Sequence, residues 1–84
     1  MAVIPLSMLF EGDYAIYLLP ADSDQTMADV AALSAQWEIP ARVLPREGTR
    51  LRVRRHGAAA PFPPEMKVGE SGLSFMDPIE VYFE

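Results

Sequence analysis

Cysteine is absent from these 84 residues, and histidine, tryptophan and lysine occur once each. Without cysteine there is no disulfide framework, no thiolate metal site, no iron–sulfur cluster and no thiol nucleophile. His56 stands alone, and the serines at 7, 23, 34, 71 and 74 form no recognisable arrangement around it, so no activated nucleophile is legible. A carboxylate-bridged di-iron site would need Glu-x-x-His spacing, and the residue three before His56 is Val53. The five glycines are scattered and lack the repeated spacing of a phosphate cradle. No apolar run approaches the roughly 20 residues needed to span a bilayer. The opening "MAVIPLSMLF" has no basic residue and is broken by Pro5, unlike a secretory leader. The chain reads as cytoplasmic and soluble, with no catalytic, cofactor-binding or metal-ligating residue of its own.

Positive charge is scarce and also segregated. Twelve acidic residues face seven basic ones, giving a net charge of −5, yet "PREGTRLRVRRHG" (45–57) holds five of the seven, all arginine. A pI near 4.7 disfavours general attraction to nucleic acid or to a membrane surface. Half of the residues are hydrophobic, in a chain long enough for one domain, 1–84, with a thin core. Apolar surface left over from that core is available for another protein.

The order of elements is α+β. "IPLSMLF" and "YAIYLLP" flank "EGD", a hairpin signal that predicts strands over 4–10 and 14–19, the second ended by Pro20. Asp22 and Asp24 precede a helix N-terminus, where negative charge is favourable. Thr26 is placed as N-cap, with Asp29 as its capping-box partner, and the helix runs over 27–37. Met27, Val30, Ala31, Ser34 and Trp37 fall on one face, with Leu33 at the margin, and Pro40 stops the helix. "ARVLP" (41–45) is a possible short strand, and "GAAAPFPPE" (57–65) is a loop. In "TRLRVRRH" the period is two, so Leu51 and Val53 point to the core while Arg50, Arg52, Arg54 and His56 project from the other face. In "PIEVYFE" the pair of faces is Ile79, Val81 and Phe83 against Glu80, Tyr82 and Glu84.

One helix covers one sheet face. "YAIYLL" is apolar on both sides, so Tyr17 or Ile16 must look away from the helix, toward a cover supplied by another chain. The arginine strip has two readings. It is a solvated face balanced by Glu47, Glu80 and Glu84, or it is a docking surface that uses arginine for planar pairing and stacking. On the docking reading the contact residues are Arg46, Arg50, Arg52, Arg54, Arg55 and His56, joined by Tyr17, Tyr82 and Phe62. Trp37 is a second aromatic anchor on that reading.

This order of hairpin, Thr-capped helix, strand, loop and final strand resembles the β-grasp, or ubiquitin-like, fold, a mixed sheet of four to five strands on one helix. "PREG" (45–48), "LRVRRH" (51–56), "FPPEM" (62–66), "ESGL" (70–73) and the closing "IEVYFE" resemble the γ subunits of bacterial multicomponent toluene monooxygenase hydroxylases. "GAAAP" departs from the loop of toluene oxidisers and leaves an alkene or isoprene relative open. The resemblance implies a noncatalytic structural subunit in an (αβγ)2 assembly with large α and β subunits. It also places the di-iron centre and hydrocarbon oxidation by O2 in α, with Arg46, Arg52, Arg54 and Arg55 as contacts to the larger subunits. A transient regulatory or effector protein of an oxygenase, or another ubiquitin-like protein-binding module, is the alternative. A ubiquitin-like modifier would need a C-terminal Gly-Gly in place of "VYFE", and a β-grasp ferredoxin would need four cysteines.

Overall fold

The computed structural model describes residues 2–13, 15–39 and 49–84. Among the described residues four strands and one helix follow in order: β1 (Val3–Phe10), β2 (Ile16–Asp22), α1 (Met27–Glu38), β3 (Leu51–Arg55) and β4 (Pro78–Phe83), with a 3-10 turn at Val68–Glu70. Arg46 and the possible strand at 41–45 lie outside the described residues. The sheet order is β2-β1-β4-β3, antiparallel except for the central β1–β4 pair. The α+β expectation and the four main strands hold.

Every leading amide of α1 has a partner, which fixes how the chain closes over it. Met27 and Ala28 donate to the carbonyls of Met66 and Pro64, Asp29 donates to Thr26 Oγ1, and Val30 to the Thr26 carbonyl. Asp29 Oδ2 in turn accepts from the Thr26 amide, completing the capping box. The segment after "GAAA" is therefore a clasp on the helix N-terminus as well as a connection. Phe62 belongs to the same clasp: its amide donates to the Val53 carbonyl and its ring packs on the core.

Met27, Val30, Ala31 and Ser34 are buried as their spacing requires, but the stripe ends on Glu38 and not on Trp37. At about 100° per residue, position 38 lies close to the stripe's axis and position 37 about 80° from it. Trp37 is accordingly more than one-third exposed. The stripe covers a sheet face built from Leu6, Met8, Phe10, Leu19, Ala21, Val53, Ile79 and Val81, all buried. Phe83 seals one end with its ring edge-on to Phe10 at 5.8 Å.

Pro20 does not end its strand, which continues to Asp22. Antiparallel residues alternate between hydrogen-bonded and non-bonded pairs. The Ser23 amide donates to Ala2, which makes Ala2–Ser23 a bonded pair and sets the phase. Pro5 faces Pro20 in this register, at a non-bonded position, so neither missing N–H removes a rung of the ladder.

Candidate docking surface

The register decides which side chains share the helix-free face. Residues paired across strands point the same way, so this face carries Val3, Pro5, Ser7 and Leu9 from β1 and Ile16, Leu18 and Pro20 from β2. From β4 come Pro78, Glu80 and Tyr82, and from β3 Arg52 and Arg54. The half built on β1 and β2 is apolar, with Val3, Ile16 and Leu18 exposed by 67%, 69% and 53%. The half built on β3 and β4 is charged. At one end of their junction lies a depression of about 750 Å³, whose lining includes Leu9, Ile16, Arg54, Glu80 and Tyr82.

The charged half is satisfied within the chain. Arg54 Nε donates to Glu80 Oε1 at 2.6 Å, and its guanidinium lies 4.6 Å from the centre of the Tyr82 ring. His56 Nδ1 donates to Glu80 Oε2 at 2.6 Å. One Arg52 nitrogen reaches both oxygens of Glu84, and the other donates to the Phe62 carbonyl at 3.2 Å. Arg50 lies 3.9 Å from Glu84. Position 55 has the opposite parity and pairs with Ile79, so Arg55 leaves the helix-free face and meets Asp77 at 3.3 Å and the Gly72 carbonyl. Of the two readings of the strip, internal balance describes its geometry, with β4 as its partner.

Two further expectations change and one holds. Tyr17 pairs with Met8 and packs against the core, on the helix side, so Ile16 and Leu18 are the outward residues of β2. Phe62 is committed to the clasp and the core and is not a free anchor. Tyr82 does lie on the helix-free face, half-buried beneath Arg54. Sequence reasoning passed over Phe75, 72% exposed, and Met76, 46% exposed, because "LSFMDP" has no period to read. Met76 holds φ 66°, a left-handed backbone unusual for its residue type, pinned by the hydrogen bond its amide donates to the Pro5 carbonyl at 2.7 Å. Beside it, Asp77 accepts from the Ser74 amide and hydroxyl and from Arg55. The Ser74 amide is the main reason its carboxyl sits below the usual range.

Glu80 is likewise held below the usual glutamate range, chiefly by the Arg54 hydrogen bond, against the opposing effect of burial and with help from His56. A depressed folded-state value means that Glu80 stabilises the fold above the unfolded value. That contribution is lost as pH falls through the folded one. Glu80→Gln is therefore expected to flatten the fall in unfolding free energy as the solution is acidified below the ordinary glutamate value of 4.5. Urea melts at a series of pH values from neutral into that acid region check it, and an unchanged slope would remove Glu80 from the acid response.

Among the described residues no group of His, Asp and Glu is placed to hold a metal ion, and no helix is long and apolar enough to cross a membrane. Residues 3–83 match the family model for Toluene-4-monooxygenase system protein B. The chain belongs to this family. It is 38% identical over its full length to the hydroxylase component subunit gamma of the toluene-4-monooxygenase system of Ectopseudomonas mendocina, covering 99% of that protein. Among solved structures it superposes with TM-score 0.93 and 37% identity on a chain of a toluene 4-monooxygenase HD complex with the inhibitor 4-bromobenzoate. That match covers 99% of this chain and all of the other. The ubiquitin of Caldiarchaeum subterraneum, TM-score 0.73 at 12% identity, covers 99% of this chain and 95% of its own. The ubiquitin-like domain of the Mycobacterium tuberculosis secretion protein ECCD1 gives 0.61 at 19%, with 98% of this chain and 99% of its own covered. These last two show the fold alone, and it is the β-grasp.

Proposed function

We propose that this chain is a noncatalytic γ-type subunit of a hydrocarbon monooxygenase hydroxylase, docked on larger subunits through its helix-free sheet face. The observation that carries the reading is the exposed apolar half of that face, Val3, Ile16 and Leu18, in a family whose relatives are hydroxylase subunits. Monomeric proteins rarely leave such a row on one face, and subunit interfaces are built from such rows. On this reading aromatic or alkene oxidation and the di-iron centre belong to an α subunit. An (αβγ)2 assembly in the cytoplasm is the arrangement this reading carries. Arg50, Arg52, Arg54 and His56, already paired, act as a preformed polar rim around the apolar contact; Arg46 is a contact to the larger subunits by the family resemblance alone.

Expression of the chain with its neighbouring hydroxylase subunits, followed by size-exclusion chromatography, tests this. Equimolar co-elution with large iron-containing polypeptides is expected. Elution as a separate monomer in their presence would overturn the reading, and dissociation on dilution with partial activation would favour a transient effector.

A further inference from the structure

Among the described residues β2 is an edge strand, and the same hydrogen-bond phase that tolerates the two prolines says which of its backbone groups point away from β1. Leu6–Leu19 and Met8–Tyr17 are bonded pairs with β1, so the amides and carbonyls of Ile16 and Leu18 point away from the sheet. The phase is checked independently on β1. Ser7, opposite Leu18, sends its amide the other way, to the Asp77 carbonyl, and Glu11 does the same to Val81. Among the described residues no strand lies beyond β2. Edge strands in free-standing domains are guarded by lysine, charge, proline, bulges or brevity. "AIYLL" (15–19) has none of the charged guards, and only Pro20 interrupts its outward edge.

We propose that an extended, uncharged segment of a larger hydroxylase subunit adds to β2 as a fifth strand, hydrogen-bonded to the backbone of Ile16 and Leu18. Outward groups two residues apart repeat at about 6.8 Å, the repeat of an extended strand and not of a helix. The partner strand presents apolar side chains on the helix-free side, next to Ile16 and Leu18, and stops at Pro20, which has no amide to offer. A second copy of this chain fits less well, because it would bring together two chains of net charge −5. The proposal rests on the subunit reading above and adds the element, the edge and the partner's conformation.

Leu18→Pro removes the outward amide while leaving every β1 rung intact, and Leu18→Thr keeps the amide while removing the apolar side chain. In the co-expressed hydroxylase, Leu18→Pro is expected to weaken association by about tenfold to a hundredfold beyond Leu18→Thr, the effect of stranding one buried acceptor. Hydrogen exchange on the wild-type protein needs no variant. The Ile16 and Leu18 amides should exchange fast in the isolated chain and become protected in the assembled complex. Equal association of the two variants, or unprotected amides in an intact complex, would overturn strand addition while leaving the subunit reading standing. Protection of these amides in the isolated chain with formation of a dimer would overturn the larger-subunit occupant in favour of a second copy. A wild-type chain that never joins the larger subunits fails the subunit reading first.

Discussion

Ile16→Glu combined with Leu18→Glu is expected to abolish assembly, weakening association with the larger subunits by about 100-fold or more, while the isolated chain melts as before. Both side chains are more than half exposed, so charge at these sites costs the folded chain little, about 0.5 kcal/mol or less each. In a docked complex the same carboxylates would be buried in an apolar contact without partners, and loss of a central anchor alone is commonly 2 kcal/mol or more. Arg54→Ala is the contrast. Arg54 is already engaged by Glu80 and Tyr82, so its removal is expected to cost the fold up to about 1 kcal/mol and to leave co-elution nearly unchanged. Co-elution that survives the double glutamate variant but fails with Arg54→Ala would reverse the assignment of the two halves of the face.

Phe10→Ala is expected to destabilise the isolated chain by about 3 to 5 kcal/mol, the largest effect of any single truncation. Phe10 is the largest of the fully buried side chains and holds Phe83 edge-on at the end of the sheet. For 84 residues the whole stability is on the order of 4 to 13 kcal/mol, so the variant loses a large fraction of it. Urea denaturation checks this directly, with a midpoint shifted down by about 2 M or more at the slope of a small domain. Phe75→Ala, at a ring 72% exposed, should move the midpoint hardly at all. If both changes cost the same, the division between core and outer aromatics is wrong. On the subunit reading proposed above, partner subunits bind only the folded chain, and their presence should offset part of the Phe10→Ala loss.

Much of the fold was legible because it is written in local patterns. Thr26 and Asp29 announced the helix start, and both partners of that capping box are seen. Alternation in "LRVRRH" and "IEVYF" announced β3 and β4 with their correct inward residues. Errors came where the pattern had two solutions. "YAIYLL" is apolar at both parities, so the choice between Tyr17 and Ile16 waited on the register with β1, which puts Tyr17 beside Met8. A hydrophobicity pattern assigns Trp37 to the helix stripe because a large apolar ring outweighs a glutamate, although Glu38 is nearer the axis and is the buried one. Pro20 looked like a stop because the facing Pro5 and the phase of the ladder are not local facts.

By itself the sequence determined that its strands and helix occur in β-grasp order, and that the one helix it announces can cover only one face of the sheet. These follow from composition and from periodicity within a dozen residues, which act before any long-range contact forms. Only the tertiary structure decided what the arginines meet. Arg54 and Glu80 are 26 residues apart, Arg52 and Glu84 32 apart, and no rule of spacing joins them. The antiparallel register of β3 on β4 does so, setting guanidinium against carboxylate. With that charge internally balanced, the unmatched surface moved to the other half of the sheet, to Val3, Ile16 and Leu18 and the open backbone edge beside them.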